Sequence, residues 1–434
     1  MNSENDQIFD AIGVGIGPFN LSAAALLQPV KEIRSKFYDQ AKSFVWHPGL
    51  LFPEATIQLS FLKDLVTLAD PTSPYSFLSF LFAQRRLYRF INADFSRVTR
   101  MEFNQYLQWV CSLLPNLEFD RSVVAISHDD ESLMVHFEDE VVRTRNIILG
   151  TGLTNVVPDC ARPYVGPKVF HACDYMKRNS LTKGQRVAVV GGGQTGAEIV
   201  FHLLSNRDVM PARLSWISRR PNFLPLDESP FTNELFTPHY SDYFFRLEPE
   251  EKKVLLGEQK LASDGISPDL LQRICRLFYE MEFLNGAGRV YALYPNHEMM
   301  DMNPNSDGYT ITIKDRLKDR NDTMDVDIVI LCTGAQYRRP AFLDPMMGKL
   351  NWGTEGYSIR EDYSIEWDGP SDLNIYMQNG AKHTRGVADP NLSLMAWRSA
   401  TIINSMAKRE VYDIKMSSCV FDMLHVNLEE LALL

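Results

Sequence analysis

Paired thiols are what this chain most plainly lacks. Its six cysteines (Cys111, Cys160, Cys173, Cys275, Cys332 and Cys419) are scattered, and no two stand at C-x-x-C spacing. That argues against a disulfide framework or a zinc site, and no metal ligand set is expected. Six reduced, mostly buried thiols are the simpler reading. No run of about 18 apolar residues occurs, so no membrane span is expected. Residues 1–7 are polar and acidic, without the basic and apolar regions of a secretory signal. Basic charge is also short: 44 Lys and Arg against 55 Asp and Glu leave a net charge of −11. Nucleic-acid binding wants a basic face, so it is not expected. A mild acidic surplus can steer a cationic substrate. Solenoid repeats and low-complexity tracts are missing too. Together these absences indicate a soluble, cytoplasmic protein.

The chain does contain enough material for a large core, with 434 residues, 45% of them hydrophobic and 23% charged. At roughly 150 residues per domain, two or three domains are expected. One local plan occurs twice. Residues 8–12 form an apolar run that enters Gly13-Val14-Gly15-Ile16-Gly17, a helical stretch comes next over 20–27, and a second strand over 36–38 ends at Asp39. The plan returns at 186–190, which enters Gly191-Gly192-Gly193-Gln194-Thr195-Gly196. A helix over 197–204 leads to a strand over 214–217 that ends in Ser218-Arg219-Arg220. Strand, glycine turn, helix and strand make the βαβ signature of a parallel sheet. Two further apolar runs, 146–149 and 326–331, end in Thr-Gly pairs suited to backbone that approaches a cofactor. A proline-marked segment from 222 turns helical and charged up to 284, and residues 392–407 read as a late helix.

The two glycine clusters lead to differently charged strand ends. In the first, Gly13 permits the turn, Gly15 lets the backbone approach a pyrophosphate, and the next helix offers free N–H groups. Pro18 stands where the strict fingerprint has Gly or Ala. Asp39 lies where a carboxylate can bond a ribose 2′-hydroxyl. The second cluster fits the fingerprint through Gly191, Gly193 and Gly196, but its second strand ends without an acid. Ser218, Arg219 and Arg220 would bind a 2′-phosphate that an Asp would repel; the two arginines also read as solvated surface charges. The first site therefore suits FAD and the second NADPH. Two such sites imply electron transfer from NADPH to flavin. A disulfide reductase needs a cysteine pair beside the flavin, and its absence tilts the reading to oxygenation. Phe170-His171 and Tyr175 loosely follow a signature of class B flavin monooxygenases, and read equally as a linker with a buried aromatic.

The motifs then become specific. GVGIGPFNLS (13–22), FVWHPGLLFP (44–53), IQLSFLKDLVTLADPTSPYSFL (57–78), VAVVGGGQTGAE (187–198), LDESPFTNELFTP (226–238), SDGIS (263–267) and DPNLSLMAWRSA (389–400) span nearly the whole chain. In these stretches the chain resembles the N-hydroxylating flavoprotein monooxygenases of siderophore biosynthesis, closest to the lysine and diamine branch. The resemblance implies an α/β fold with two Rossmann-like domains. FAD would be held by 1–180 plus 338–434 and NADPH by 181–225 plus 285–337, with a helical substrate segment at 226–284.

It also implies roles. Gly13, Gly15, Gly17 and Pro18 would hold the FAD pyrophosphate, and Trp46, His47 and Gln58 would lie against the flavin. Gln194 and Thr195 would join the NADPH site. Lys63 matches a lysine that pairs with a substrate carboxylate, Asn233 matches a substrate-binding asparagine, and Leu392 and Ser393 close the FAD and amine site. Asp264 stands where ornithine enzymes have a second substrate asparagine, and the stretch around Tyr337 departs from the usual pattern. Structural readings remain for Trp46 and His47 as core, for Lys63 as a salt-bridge partner and for Asn233 as a turn cap.

The chemistry so implied is N-hydroxylation of a terminal primary amine with O2 through a C4a-hydroperoxyflavin. The substrate would be a diamine such as putrescine or cadaverine, with L-lysine the alternative and an uncoupled NADPH oxidase or a non-enzymatic FAD module further off. No general base is assigned. Family members are often homotetramers.

Overall fold

The computed structural model describes residues 8–95, 97–284, 286, 288–353, 355–415 and 420–421, so Cys419 lies outside the described residues. The first strand, Phe9–Val14, has its last four residues buried, as a strand covered on both faces must. It pairs in parallel with Ser35–Tyr38 on one side and Val141–Leu149 on the other. The strand Val141–Leu149 serves two neighbours in succession. Its first half pairs antiparallel with Leu133–His136, and its last four residues pair in parallel with Asn374–Met377. The chain thus returns to the first sheet only after building everything in between. Helix Pro18–Leu27 is buried at all ten positions, because the late helix Met395–Ala407 packs over it.

The second sheet has five strands, all parallel, in the order Tyr291–Tyr294, Arg213–Ile217, Arg186–Val190, Ile328–Leu331, Val169–His171. One face is covered by helices Gln194–Ser205 and Pro268–Tyr279, and the other by an antiparallel meander of His297–Pro304, Tyr309–Asp315 and Arg320–Val326. Three expectations shift here. The edge strand Val169–His171 belongs to this sheet, so the second domain begins ahead of residue 181; three residues are too few to carry a readable period. The run 326–331 is not one strand. Val326 closes the meander, and Asp327 turns the chain by accepting from the Arg186 backbone N–H at 2.7 Å and its guanidinium at 2.6 Å. Helix Pro268–Tyr279 packs on the second sheet's own helix, so the inserted segment divides between the domains.

The prolines that mark this insertion start its helices. Pro230, Pro238, Pro249 and Pro268 each occupy the first helical turn, where a missing N–H costs nothing. Two of the chain's passages between the domains lie side by side: Thr154–Asn155 pairs antiparallel with Ala335–Gln336. Val156 N–H donates to Gly334 O at 2.9 Å, and the Thr333 hydroxyl donates to Val156 O. His171, read loosely as part of a monooxygenase signature, fastens this ribbon. Its Nε2 faces Gly334 O at 3.2 Å, while its Nδ1 accepts from Cys173 N–H at 3.3 Å. Among the described residues no helix is long and apolar enough to cross a membrane.

Candidate active site

At the C-terminal ends of the first sheet's strands lies a cavity of about 510 Å³, lined among others by Gly15, Gly17, Pro18, Asp39, Trp46 and Thr151. Gly15 makes it possible. Its φ is +88°, and a Cβ there would come within 2.5 Å of the Gly150 carbonyl oxygen. Gly17 caps the next helix without a side chain, leaving N–H groups at its positive end. Asp39 braces the loop, with Oδ2 accepting from Ile16 N–H at 2.6 Å and Oδ1 from Ala41 N–H at 2.7 Å. Gly13 takes a different part from the expected one. It lies within the strand, and a Cβ there would sit 1.9 Å from the Phe37 ring, so its smallness serves packing. The sequence reading missed Asn20, which is fully buried and donates from Nδ2 to Gly15 O at 2.8 Å and to Ile148 O at 3.1 Å. It also missed Arg121, Arg338 and Arg339, cations on the cavity wall that no glycine pattern announces.

Trp46 lines this cavity, and His47 follows it on the segment that packs toward the other domain. Trp46 N–H is held by Asn104 Oδ1 at 2.8 Å, and its ring lies 4.9 Å from that of His47. His47 adopts a left-handed backbone, with φ at 50°. The residue keeps an exposed face, yet desolvation of the imidazole by the protein atoms around it, aided by the nearby Arg100 charge, pushes its pKa down to about 4. Gln58 has its Nε2 buried without a protein partner, an amide donor left over for a ligand. The residues present fit an FAD on these two grounds: an orphaned donor and a cradle that a Cβ would fill.

Lys63 is half-buried, and burial lowers its pKa while the Glu234 charge opposes the shift. Asn233, the expected amide partner, is exposed at the end of its short helix, and its neighbour Glu234 supplies the charge that faces Lys63. Ser393 is buried, with its hydroxyl turned onto Asn391 Oδ1 at 2.7 Å, and Leu392 opens the same turn.

The second glycine turn precedes helix Gln194–Ser205, whose N-cap Gly193 again leaves the first N–H groups uncovered, with Thr195 in that first turn. Gly196 allows the helix to pack onto the Gly191 carbonyl, which a Cβ would approach to 2.2 Å. Ser218 departs from its expected phosphate role. It is buried under the loop, its Oγ 2.1 Å from where a Gly192 Cβ would be, and it accepts from Arg220 N–H at 3.2 Å. Arg220 donates to the Asp264 carbonyl at 2.6 Å, which fastens the SDGIS stretch to this site. The Asp264 side chain accepts from the Ser263 hydroxyl at 3.1 Å. Arg219 is exposed and pairs with Glu298 at 3.3 Å, beside Arg316, which donates to the Arg219 carbonyl at 3.1 Å. Arg316 comes from the unforeseen meander.

Two sheets, each delivering from its parallel strands a glycine turn and an open helix N-terminus, define an oxidoreductase with two dinucleotide sites. The profile of the L-lysine 6-monooxygenase/L-ornithine 5-monooxygenase family matches residues 7–338, and the chain belongs to that family. It is 37% identical over 411 residues to the L-lysine N6-monooxygenase of Escherichia coli, covering 94% of this chain and 96% of that one. It is 32% identical over 424 residues to the putrescine N-hydroxylase of Acinetobacter baumannii, covering 96% and 93%. The structure superposes with a TM-score of 0.90 on the FAD-bound cadaverine monooxygenase of desferrioxamine biosynthesis from Erwinia amylovora, at 32% identity, covering 96% and 98%. The protein is a flavin-dependent N-monooxygenase that uses FAD and NADPH.

Proposed function

We propose that the chain hydroxylates one terminal amine of an aliphatic diamine, putrescine or cadaverine, in the biosynthesis of a hydroxamate siderophore. The overall change is amine plus O2, NADPH and a proton giving hydroxylamine, NADP⁺ and water. FAD, once reduced by NADPH, supplies the activation of O2 and one of its oxygen atoms.

The remaining work falls to the protein. A free alkyl ammonium has a pKa near about 10.4, so the reacting end must lose its proton before its lone pair can attack. An apolar, desolvated seat favours the neutral amine. The other end of a diamine stays cationic and needs an anion. Glu234 facing the half-buried Lys63 is the observation that carries the reading. A lysine already facing a carboxylate is a poor clamp for a substrate carboxylate. L-lysine is the second reading, favoured by the 37% identity to a lysine enzyme.

Purified protein supplied with FAD, NADPH and O2 should be offered putrescine, cadaverine, L-lysine and L-ornithine in parallel, with hydroxylamine measured against NADPH consumed. Product from the diamines alone supports the proposal. Lys63→Ala should then change KM for the diamine by less than about threefold, whereas loss of a charge-assisted clamp on L-lysine would raise it by on the order of 10-fold or more. Product chiefly from L-lysine, lost in Lys63→Ala, would overturn the diamine assignment.

A further inference from the structure

Gln194 stands in the second glycine motif, yet its side chain is spent on the protein. Its Oε1 accepts from Ser267 N–H at 2.8 Å, and its Nε2 donates to Glu198 Oε1 at 2.9 Å. Glu198, one turn further along the same helix, receives the guanidinium of Arg100 in fork geometry, at 2.9 and 3.1 Å. Arg100 opens the helix Arg100–Leu113 of the first domain and donates at 2.7 Å to the Leu50 carbonyl, three residues past His47. The Arg100 and Glu198 side chains are only 14% and 6% exposed. The same wall is pressed onto the second domain nearby, since a Cβ on Gly49 would come within 1.7 Å of the Cys173 carbonyl oxygen. One continuous polar chain therefore runs from the flavin-side loop, through the helix that opens the NADPH site, to the substrate segment.

We propose that Arg100, Glu198 and Gln194 are positioning residues that act as one latch, holding the NADPH-binding helix in register with the wall of the flavin cavity. None of the three side chains is needed to bind a cofactor directly. A buried fork of opposite charges is costly to break and tightly restricted in geometry, which suits it to fixing one body against another. The latch joins the two domains at a place away from the side-by-side crossings at 154–156 and 334–336. Its action on nucleotide seating rests on the dinucleotide assignment; only its effect on coupling rests on the amine reading.

The test uses the full-length flavoprotein with Glu198→Gln, which keeps shape and removes charge, and Gln194→Ala, which cuts the ties to Ser267 and Glu198 but leaves the Arg100–Glu198 ion pair. NADP⁺ binding is titrated without any amine, and amide exchange of the ribbon residues 154–156 and 334–336 is followed without NADP⁺. For Glu198→Gln the NADP⁺ Kd should rise on the order of 10-fold, within the range of couplings between linked sites, and ribbon exchange should speed up, with FAD content unchanged. Gln194→Ala should move both in the same direction by less. The double variant Arg100→Ala/Glu198→Ala should be no worse than either single one, because the pair acts as a unit. With the best amine, the share of NADPH diverted to hydrogen peroxide should increase in step. A merely structural role predicts a lower melting temperature with NADP⁺ Kd and ribbon exchange unchanged. That result in Gln194→Ala, which leaves the ion pair intact, together with the same result or failure to fold in Glu198→Gln, overturns the latch. Failure of every amine to react would sink the substrate proposal while leaving the NADP⁺ and exchange measurements decisive here.

Discussion

His47 carries a prediction that can be worked through from its surroundings. Burial first, and the Arg100 charge second, lower its folded pKa from 6.5 to about 4. Between these values the unfolded chain binds a proton that the folded chain refuses, so acid favours unfolding. Stability from this group is intact above about pH 6.5, declines as pH falls toward 4, and loses nothing more below that. His47 keeps an exposed face, so solvent screening holds the linkage at about pH 5 to on the order of 1 kcal/mol, below what the full shift would carry. The perturbation is His47→Asn. Asparagine tolerates the left-handed backbone that His47 adopts at φ 50°, and it does not titrate. Urea unfolding of both proteins at neutral pH and near pH 5 gives four stabilities. The wild type should lose on the order of 1 kcal/mol more than the variant over that interval, whatever the other groups contribute to both. Equal losses would refute the reasoning, because they would mean that the imidazole takes up its proton in the folded state at the ordinary pKa.

Other consequences are nearer to hand. Gly15→Ala should yield protein purified nearly free of flavin, since the new methyl meets the Gly150 carbonyl at 2.5 Å on a backbone with φ of +88°; normal flavin content would show that the loop relaxes. Arg219→Ala should raise KM for NADPH on the order of 10- to 100-fold, the worth of a charged contact to phosphate, with little effect on NADH. An equal change for both coenzymes would move the 2′-phosphate contact elsewhere, with Arg316 the next residue to test. Asp389→Asn leaves the Arg398 guanidinium, 0% exposed and 2.7 Å from that carboxylate, without its counter-charge. Breaking such a buried pair costs about 3–5 kcal/mol, and a fall in melting temperature on the order of 10 °C is expected. A fall of a degree or two would mean that the Asp389 carbonyl and the Phe19 ring hold the arginine unaided.

What the sequence makes legible here is local, and what it hides is relational. Glycine turns, the helices behind them and the acid at Asp39 are dictated by backbone sterics within some 30 residues, and all are in place. Gly13 and Gly15 look alike as letters; only the neighbouring Phe37 ring and Gly150 carbonyl separate a packing glycine from a cradle glycine. Ser218 and Arg219 are adjacent in sequence, yet one side chain points under the loop and the other into solvent, as alternation past the end of a strand dictates. Arg100 and Glu198 stand 98 positions apart, and nothing in either neighbourhood announces a partner. The meander escaped notice because His297–Pro304 and Arg320–Val326 are largely exposed and polar, leaving a weak alternation to read.

The pairing of Val141–Leu149 with Asn374–Met377 has a bearing on how the chain is made. A ribosome must add roughly 225 residues after Leu149 before the last strand of the first sheet exists, a delay of about ten to forty-five seconds at ordinary synthesis rates. Throughout that wait the nascent first domain carries an open parallel edge, while the strands of the second sheet, Val169 to Leu331, are contained within the interval. The order of maturation should thus run opposite to the order of translation: the inserted domain closes first, and the domain that begins the chain is finished last.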